Sequence, residues 1–136
     1  MHFSYRSSIV EQENAVVLGA TLLLKKGDRS AIRERMEELK EQRITKQPLE
    51  YASAGSTFKR PEGAFAGRLI EEAGMKGYRV GNAMVSDKHA GFVINTGEAT
   101  AEEIITVIRD VRNRGFEHSG ILLEPEVRML GEGLAL

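Results

Sequence analysis

A helix start is the sequence feature that most constrains the fold of this chain. In the stretch TAEE, Thr100 can accept a hydrogen bond from the third helical amide while Glu103 reaches back to the cap, which is the capping-box pattern. The apolar residues that follow share one stripe at helical spacing: Ile104, Val107, Ile108 and Val111. The pattern predicts an amphipathic helix that packs on a core and ends at Gly115.

An apolar run near the start of the chain predicts a strand. Residues 15–24, AVVLGATLLL, are bounded by polar residues on both sides, which is typical of a buried strand, with a helical segment as the alternative. Asp28 or Ser30 can then cap a helix that runs to about Gln42. Three apolar residues of this helix are spaced to share one face: Ile32, Met36 and Leu39.

The second half of the chain alternates between helical and extended patterns. A short helix is expected over about residues 65–73, with Gly74 as its stop. Residues 75–97 then contain two extended runs separated by a polar turn around Asp87. This pattern predicts a hairpin or two neighbouring strands.

The closing segment is also expected to be extended. Residues 121–123 and 127–130 are apolar runs, and Pro125 excludes a continuous helix between them. Together the elements predict an α+β fold, a small mixed-sheet domain with packed helices that follows a strand-rich part. The expected boundaries are 1–27 for the strand-rich part, 28–45 for a connecting helix and 46–136 for the compact domain.

Composition excludes several classes of function. The 136 residues carry 19 Lys plus Arg against 20 Asp plus Glu, so no overall basic charge marks the chain for nucleic acid or anionic membranes. The absence of cysteine excludes disulfides and thiolate ligands, and three widely spaced histidines argue against a metal site. Without a signal-like start or a membrane-spanning apolar run, we expect a soluble, cytoplasmic protein.

Residues 52–61, ASAGSTFKRP, place small residues around the hydroxyl of Ser56. Ala54 and Gly55 remove side-chain bulk, so a large group could approach the backbone and the hydroxyl there. A hydrogen-bonding turn would explain the same residues, and no acid–base partner for a Ser-His-Asp triad lies nearby in sequence. Spacing alone favours the turn.

Three further patterns contain groups that could bind or transfer protons. Glu124, Glu126 and Arg128 alternate along an expected strand and would share one face, either for proton transfer or as a solvated ion pair. His89 opens an apolar run, where it could bind an anion or serve as a polar strand start. The Tyr5-Arg6 dipeptide pairs an aromatic plane with a planar cation suited to phosphate or carboxylate.

The order of four segments raises the specificity of these patterns. FSYRSS, AGSTFKRP, AGRLIEEAGMKGYRVGNAMVSDKHAGFVINTG and LLEPEVRMLGE occur in one order over nearly the whole chain. In this order they resemble the C-terminal part of the UDP-N-acetylmuramate dehydrogenase family, also called UDP-N-acetylenolpyruvoylglucosamine reductases, flavoenzymes of peptidoglycan precursor synthesis. The resemblance implies that Arg6, Ser56 and Glu126 are the catalytic residues.

The resemblance also implies a reaction and the role of each residue. Hydride from reduced flavin goes to the outer carbon of an enolpyruvyl ether, and Ser56 delivers a proton to the inner carbon. Arg6 and a protonated Glu126 stabilise the enolate-like intermediate. Secondary substrate contacts carry over to Tyr5, Lys46 and His89, with Lys46 neutralising diphosphate charge.

One departure from the family pattern occurs at Arg60. The family has asparagine in A-G-S-x-F-K-N-P, whereas this chain reads FKRP, so a neutral amide contact would become a charged one. The role of this position therefore does not carry over.

The resemblance implies a flavin-binding portion N-terminal to the FSYRSS segment, and the sequence contains none of it. FAD and NADPH are therefore expected in the complete enzyme and none bound to this chain, whose partners are the enolpyruvyl UDP-sugar and the flavin domain. We expect the isolated chain to lack reductase activity and to self-associate through the exposed strand of residues 15–24. The alternative is a non-catalytic nucleotide-sugar binding or protein-interaction module derived from the same domain.

Overall fold

The computed structural model describes residues 1–131. The chain divides into two compact units, Met1–Arg35 and Met36–Leu136, and each is described by itself. Among the described residues, no helix has both the length and the apolar character needed to cross a membrane.

The first unit contains a tight turn and a short helix. Ser4 and Ser7 exchange two backbone hydrogen bonds with N···O distances of 3.0 and 3.3 Å, and helix α1 spans Ile9–Gln12. The strand predicted over residues 15–24 is wrong: the segment has no regular secondary structure, and Leu18 and Leu23 are 97% and 100% exposed. An apolar run becomes a strand only when a partner supplies backbone hydrogen bonds and covers its side chains, and here neither is present in the described residues.

Helix α2, Arg29–Lys46, confirms the predicted connecting helix and extends it by one turn. Asp28 caps it by accepting a hydrogen bond from the Ala31 N–H at 2.8 Å. No residue of α2 is buried, so its predicted apolar face is present but uncovered. Pro48, by contrast, is fully buried just after the helix.

Four strands form one sheet in the order β1-β4-β3-β2. They are β1 (Ala52–Ser56), β2 (Arg79–Val80), β3 (Ala83–Val85) and β4 (Phe92–Asn95). The predicted hairpin is confirmed by the antiparallel pairing of β3 with β4 on either side of the Asp87 turn. All pairings in the described sheet are antiparallel, so the expected mixed sheet is replaced by an antiparallel one within the α+β class.

Helix α4, Ala101–Ser119, packs along β2, β3 and β4. Its capping box is confirmed: Thr100 accepts a hydrogen bond from the Glu103 N–H, and the Glu103 side chain accepts from the Thr100 N–H. The predicted stop at Gly115 is wrong, because this residue is buried inside the helix. The helix ends at Gly120, which adopts φ +70° and donates its N–H to a helical carbonyl.

The core of the second unit lies between the sheet, α4 and the short helix α3, Ala66–Glu72. Helix α3, Ala66–Glu72, confirms the predicted short helix and is followed by Gly74 at φ +70°. Residues 121–131 form no strand, although Phe58 and Pro125 make one isolated β-bridge. The most deeply buried residues come from α3, β3, β4, α4 and the closing segment: Ile70, Val85, Ile94, Val107, Ile108, Val111 and Leu123.

Candidate functional site

A β-bulge shapes the end of strand β1. The pairing with β4 passes from Ser53 opposite Ile94 to Ser56 opposite Phe92, so two residues of β1 face Val93 alone. A bulge of this kind bends the strand and re-aims the side chains beside it. Ser56, directly after the bulge, is exposed at the strand end.

Gly55 allows the backbone to adopt the conformation of this bulge. Its φ of +83° lies in the region that favours glycine, and a Cβ built on it would meet no atom within 4 Å. The glycine is therefore required by backbone conformation and not by crowding within the chain. The open space beside it leaves room for a large group to approach Ser56.

Thr57 connects the site segments. It is 2% exposed, and its N–H donates to the Gly91 carbonyl at 2.8 Å. Its carbonyl accepts from the Glu126 N–H at 2.9 Å, and its Oγ1 accepts from the Val93 N–H at 2.9 Å. Three separate stretches of chain are thus joined at the residue that follows Ser56.

The closing segment runs beside the residues that follow β1. The Lys59 N–H donates to the Glu124 carbonyl at 2.8 Å, and the side chains of the same two residues form an exposed ion pair. Glu126 is half-buried, with its Oε2 shielded from solvent, whereas Arg128 is exposed. Glu124 therefore forms a solvent-exposed ion pair, one of the two alternatives predicted for the alternating residues. Glu126 instead has one carboxylate oxygen shielded from solvent.

His89 is held in place by backbone contacts on several sides. Its Nδ1 accepts a hydrogen bond from the Gly91 N–H at 3.0 Å, and its ring lies 5.0 Å from the Phe92 ring in an edge arrangement. Its own N–H donates to the Ser86 Oγ at 3.3 Å. Helix α3 approaches through Gly67, where an added Cβ would stand 3.3 Å from the imidazole Cε1.

An ion pair anchors the loop that carries His89. The Lys88 Nζ lies 3.4 Å from a carboxylate oxygen of Glu50, in the connection between α2 and β1. A hydrogen bond with the backbone of Glu50 itself, and then the contact with Lys88, hold the pKa of this carboxyl below its ordinary value. The loop of residues 86–91 is thus tied to the entry of β1 as well as to Thr57.

Tyr5 and Arg6 lie in the first unit, at the centre of the turn closed by Ser4 and Ser7. Arg6 adopts φ +51°, and its Cζ stands 5.8 Å from the centroid of the Tyr5 ring. Lys46 is the last residue of α2 and is exposed. Within the second unit, the hydrogen bonds of Thr57 join the segments that carry Ser56, His89 and Glu126.

Arg60, the departure from the family pattern, has a structural contact. Its guanidinium Cζ stands 4.0 Å from the centroid of the Phe65 ring, just before α3. Stacking of this kind stabilises an exposed aromatic ring by about 0.5–1 kcal/mol. Arginine at this position therefore fixes the loop between β1 and α3.

Sequence reasoning missed Thr57 and Gly91, although both lie inside the quoted segments. The bulge reverses the alternation of β1, so spacing alone does not show that Thr57 points inward. A small residue two positions after a histidine was the available signal for Gly91, whose N–H fixes the imidazole.

An apolar cleft of about 350 Å³ lies between β1 and α4. Its walls include Ala54, Val93, Ile104, Ile108 and Val127, and none of the predicted site residues lines it. Thr57 also lines this cleft, so the cleft adjoins the segments that Thr57 joins.

Comparison with known proteins identifies the family. A family model described as the UDP-N-acetylenolpyruvoylglucosamine reductase C-terminal domain matches residues 47–130. The chain belongs to this family. The matched residues include every element of the sheet, α3, α4 and the Thr57 cluster.

Curated relatives and a solved structure agree with this assignment. UDP-N-acetylenolpyruvoylglucosamine reductases of Lachnoclostridium phytofermentans and Agathobacter rectalis are 58% and 52% identical, each over 97% of this chain. The chain spans 43% and 42% of their lengths, less than half of these relatives. The crystal structure of the Thermus caldophilus reductase aligns with 76% of this chain at 39% sequence identity and a TM-score of 0.65, and the aligned part is 36% of the Thermus caldophilus chain.

Proposed function

We propose that this chain is the substrate-binding and proton-donating part of a flavin-dependent reductase of peptidoglycan precursor synthesis. The reaction converts UDP-N-acetylenolpyruvoylglucosamine to UDP-N-acetylmuramate with NADPH, in the cytoplasm. The observation that supports the proposal is that Thr57 joins the backbone segments that carry Ser56, His89 and Glu126. Membership of the reductase family supports the same assignment.

Ser56 is the proton donor in this proposal. Its hydroxyl stands exposed at the end of β1, beside the open space at Gly55, where the enolpyruvyl group can approach. A neutral hydroxyl gives up a proton readily only to a strongly basic carbon centre, so alignment must supply much of the rate. The hydrogen bonds of Thr57 provide a rigid base for that alignment.

Glu126 and Arg6 stabilise the negative charge that develops on the enolpyruvyl carboxylate side. Glu126 is suited to this role because its backbone is fixed by Thr57 and its carboxyl is partly shielded from solvent. Tyr5, Lys46 and His89 bind the nucleotide sugar. Lys46, an exposed cation at a helix end, neutralises diphosphate charge.

The open face at Gly55 also leaves room for a planar ring beside Ser56. We assign no residue of this chain to holding FAD or NADPH, which the flavin-binding portion of a complete reductase would bind. When bound, the reduced flavin supplies the hydride. The residues of this chain then orient the sugar, hold the carboxylate and deliver the proton.

The first test is a titration of this chain with UDP-N-acetylenolpyruvoylglucosamine, followed by amide chemical shifts. Shifts at Ser56, His89 and Glu126 are expected if the second unit forms its part of the site unaided. Shifts scattered over the surface, or none at saturating ligand, would count against substrate binding by this chain.

The second test restores turnover. We would join this chain to the remaining portion of the Lachnoclostridium phytofermentans reductase and compare Ser56→Ala with Ser30→Ala, an exposed serine in the first turn of α2. Ser56→Ala should abolish turnover and leave substrate affinity nearly intact, and Ser30→Ala should affect neither. Loss of affinity alone in Ser56→Ala would instead support the non-catalytic binding module.

We also propose that the chain by itself has no reductase activity and self-associates. The apolar side chains of residues 15–24 are exposed, and an uncovered apolar surface favours association. In a complete reductase the flavin-binding portion would cover them. NADPH consumption by the isolated chain in the presence of substrate would refute the proposed lack of activity. A monomeric mass in light scattering at high concentration would refute the proposed self-association.

A further inference from the structure

His89 has one ring nitrogen occupied and one available. Its Nδ1 accepts from the Gly91 N–H at 3.0 Å, and no described residue makes a hydrogen bond to its Nε2. Because a neutral imidazole has one donor and one acceptor nitrogen, an acceptor at Nδ1 places the hydrogen on Nε2. The half-buried ring thus presents a single N–H donor.

Two glycines give the imidazole its place. A Cβ on Gly91 would stand 3.0 Å from Cε1 and 3.1 Å from Nδ1 of His89, tighter than most real Cβ contacts, so the ring would have to give way slightly. A Cβ on Gly67 would stand 3.3 Å from Cε1 and 3.3 Å from the Gly91 nitrogen. The ring edge with Nδ1 and Cε1 is therefore enclosed by backbone.

We propose that Gly91 and Gly67 are positioning residues that fix His89 as a neutral Nε2–H donor to an acceptor oxygen of the nucleotide sugar. This inference rests on the proposed function for the ligand, whereas the tautomer is a property of the free protein. Orientation by a backbone N–H removes the need for a carboxylate partner and leaves the donor with a fixed direction.

The tautomer is measured without ligand, from the ring ¹⁵N shifts of His89 in this chain. We expect the hydrogen on Nε2 and an unprotonated Nδ1. A hydrogen on Nδ1, or averaging between the two tautomers, would overturn the inference. Absence of ligand binding by the unsubstituted chain would instead contradict the proposed function and leave the measured tautomer unaffected.

Two substitutions at His89 separate the nitrogens during titration with UDP-N-acetylenolpyruvoylglucosamine. Glutamine can place an amide N–H near the Nε2 position, whereas asparagine reaches only the Nδ1 position. We expect His89→Asn to weaken binding by about tenfold, as on removal of a hydrogen bond to a charged group, and His89→Gln to weaken it less. Equal losses, or a larger loss in His89→Gln, would overturn the assignment of Nε2.

The glycine is tested with a matched control. Gly91→Ala should displace the ring, mix the tautomers and weaken binding, while the fold is retained. Gly97→Ala makes the same change at a position where the added Cβ would stand 3.6 Å from the nearest atom, which is an ordinary contact. It should leave the ring position, the tautomer and the ligand affinity unchanged. Unchanged ¹⁵N shifts and affinity in Gly91→Ala would refute the positioning role.

Discussion

Replacing Thr57 with valine removes one acceptor and keeps the shape of the side chain. The Oγ1 of Thr57 accepts the Val93 N–H at 2.9 Å in a buried setting, where the bulge leaves that amide without its ladder partner. Valine puts a methyl group in the place of the hydroxyl, so the Val93 N–H is left unsatisfied and shielded from water.

The expected cost follows from the burial of that amide. An unsatisfied buried donor destabilises a protein by about 1–3 kcal/mol. The second unit spans roughly 100 residues, and in a domain of that size each kcal/mol lowers Tm by roughly 4–8 °C. Thr57→Val should therefore lower Tm by at least several degrees.

Urea and thermal unfolding of the chain, followed by circular dichroism, measure this change. Thr57→Ser is the matched control, because it keeps the oxygen and loses only a methyl group. The serine variant should be clearly more stable than the valine variant, and the Val93 amide should exchange faster in the valine variant alone. Equal stability of the two variants with an unchanged Val93 exchange rate would refute the role of the hydroxyl.

Three further changes test the contacts around α4. Gly81→Ala should destabilise by about 2 kcal/mol in denaturant unfolding, because Gly81 has φ +54° and its added Cβ would overlap the Glu103 Oε1. The Glu103 side chain, whose Oε2 accepts the Thr100 N–H in the capping box, must then shift, and a neutral effect would contradict this. Thr100→Ala should lower the free energy of unfolding by about 1 kcal/mol, because it removes the N-cap hydrogen bond of α4. A loss of helical circular dichroism without a change in stability would be inconsistent with this expectation. The hydrogen bond to Asp110 and, to a lesser extent, burial raise the pKa of Tyr78 above its ordinary value near 10. The contribution of this hydrogen bond to the stability of the fold is therefore fully present below about pH 10 and is lost as the pH rises through the raised pKa. The free energy of unfolding of Tyr78→Phe should fall less steeply above pH 10 than that of the unsubstituted chain. Parallel curves of stability against pH for the two chains would exclude a contribution from the Tyr78 hydroxyl.

Local signals predicted those elements whose stability is local. The α4 start was predictable because Thr100 and Glu103 satisfy each other's backbone groups within one turn. Its end was wrongly predicted at Gly115, because a glycine inside a helix gives the same sequence signal as a glycine at its end. Gly115 packs near Leu123 inside the helix, where a glycine is tolerated, and Gly120 takes the left-handed conformation that closes it.

The segment 15–24 shows why the N-terminal part could not be predicted. Its apolar run is typical of a buried strand, yet strand formation depends on partners elsewhere in the chain or beyond it. Periodicity reports what a segment can bury and not whether a partner is present. The same reasoning applies to α2, whose capped start was predictable from Asp28 and whose apolar face nevertheless remains exposed.

The candidate site residues come from the family resemblance, whereas the arrangement of their segments depends on the fold. Ser56, His89 and Glu126 are far apart in sequence, and the convergence of the segments that carry them depends on the hydrogen bonds of Thr57. Two of those three bonds use the backbone N–H and carbonyl of Thr57, which any residue other than proline could supply, and one uses its side chain. The convergence should therefore survive Thr57→Val below the unfolding temperature, with substrate-induced shifts at Ser56 and Glu126 retained. Loss of those shifts in a folded Thr57→Val chain would mean that the hydroxyl aligns the site as well as stabilising it.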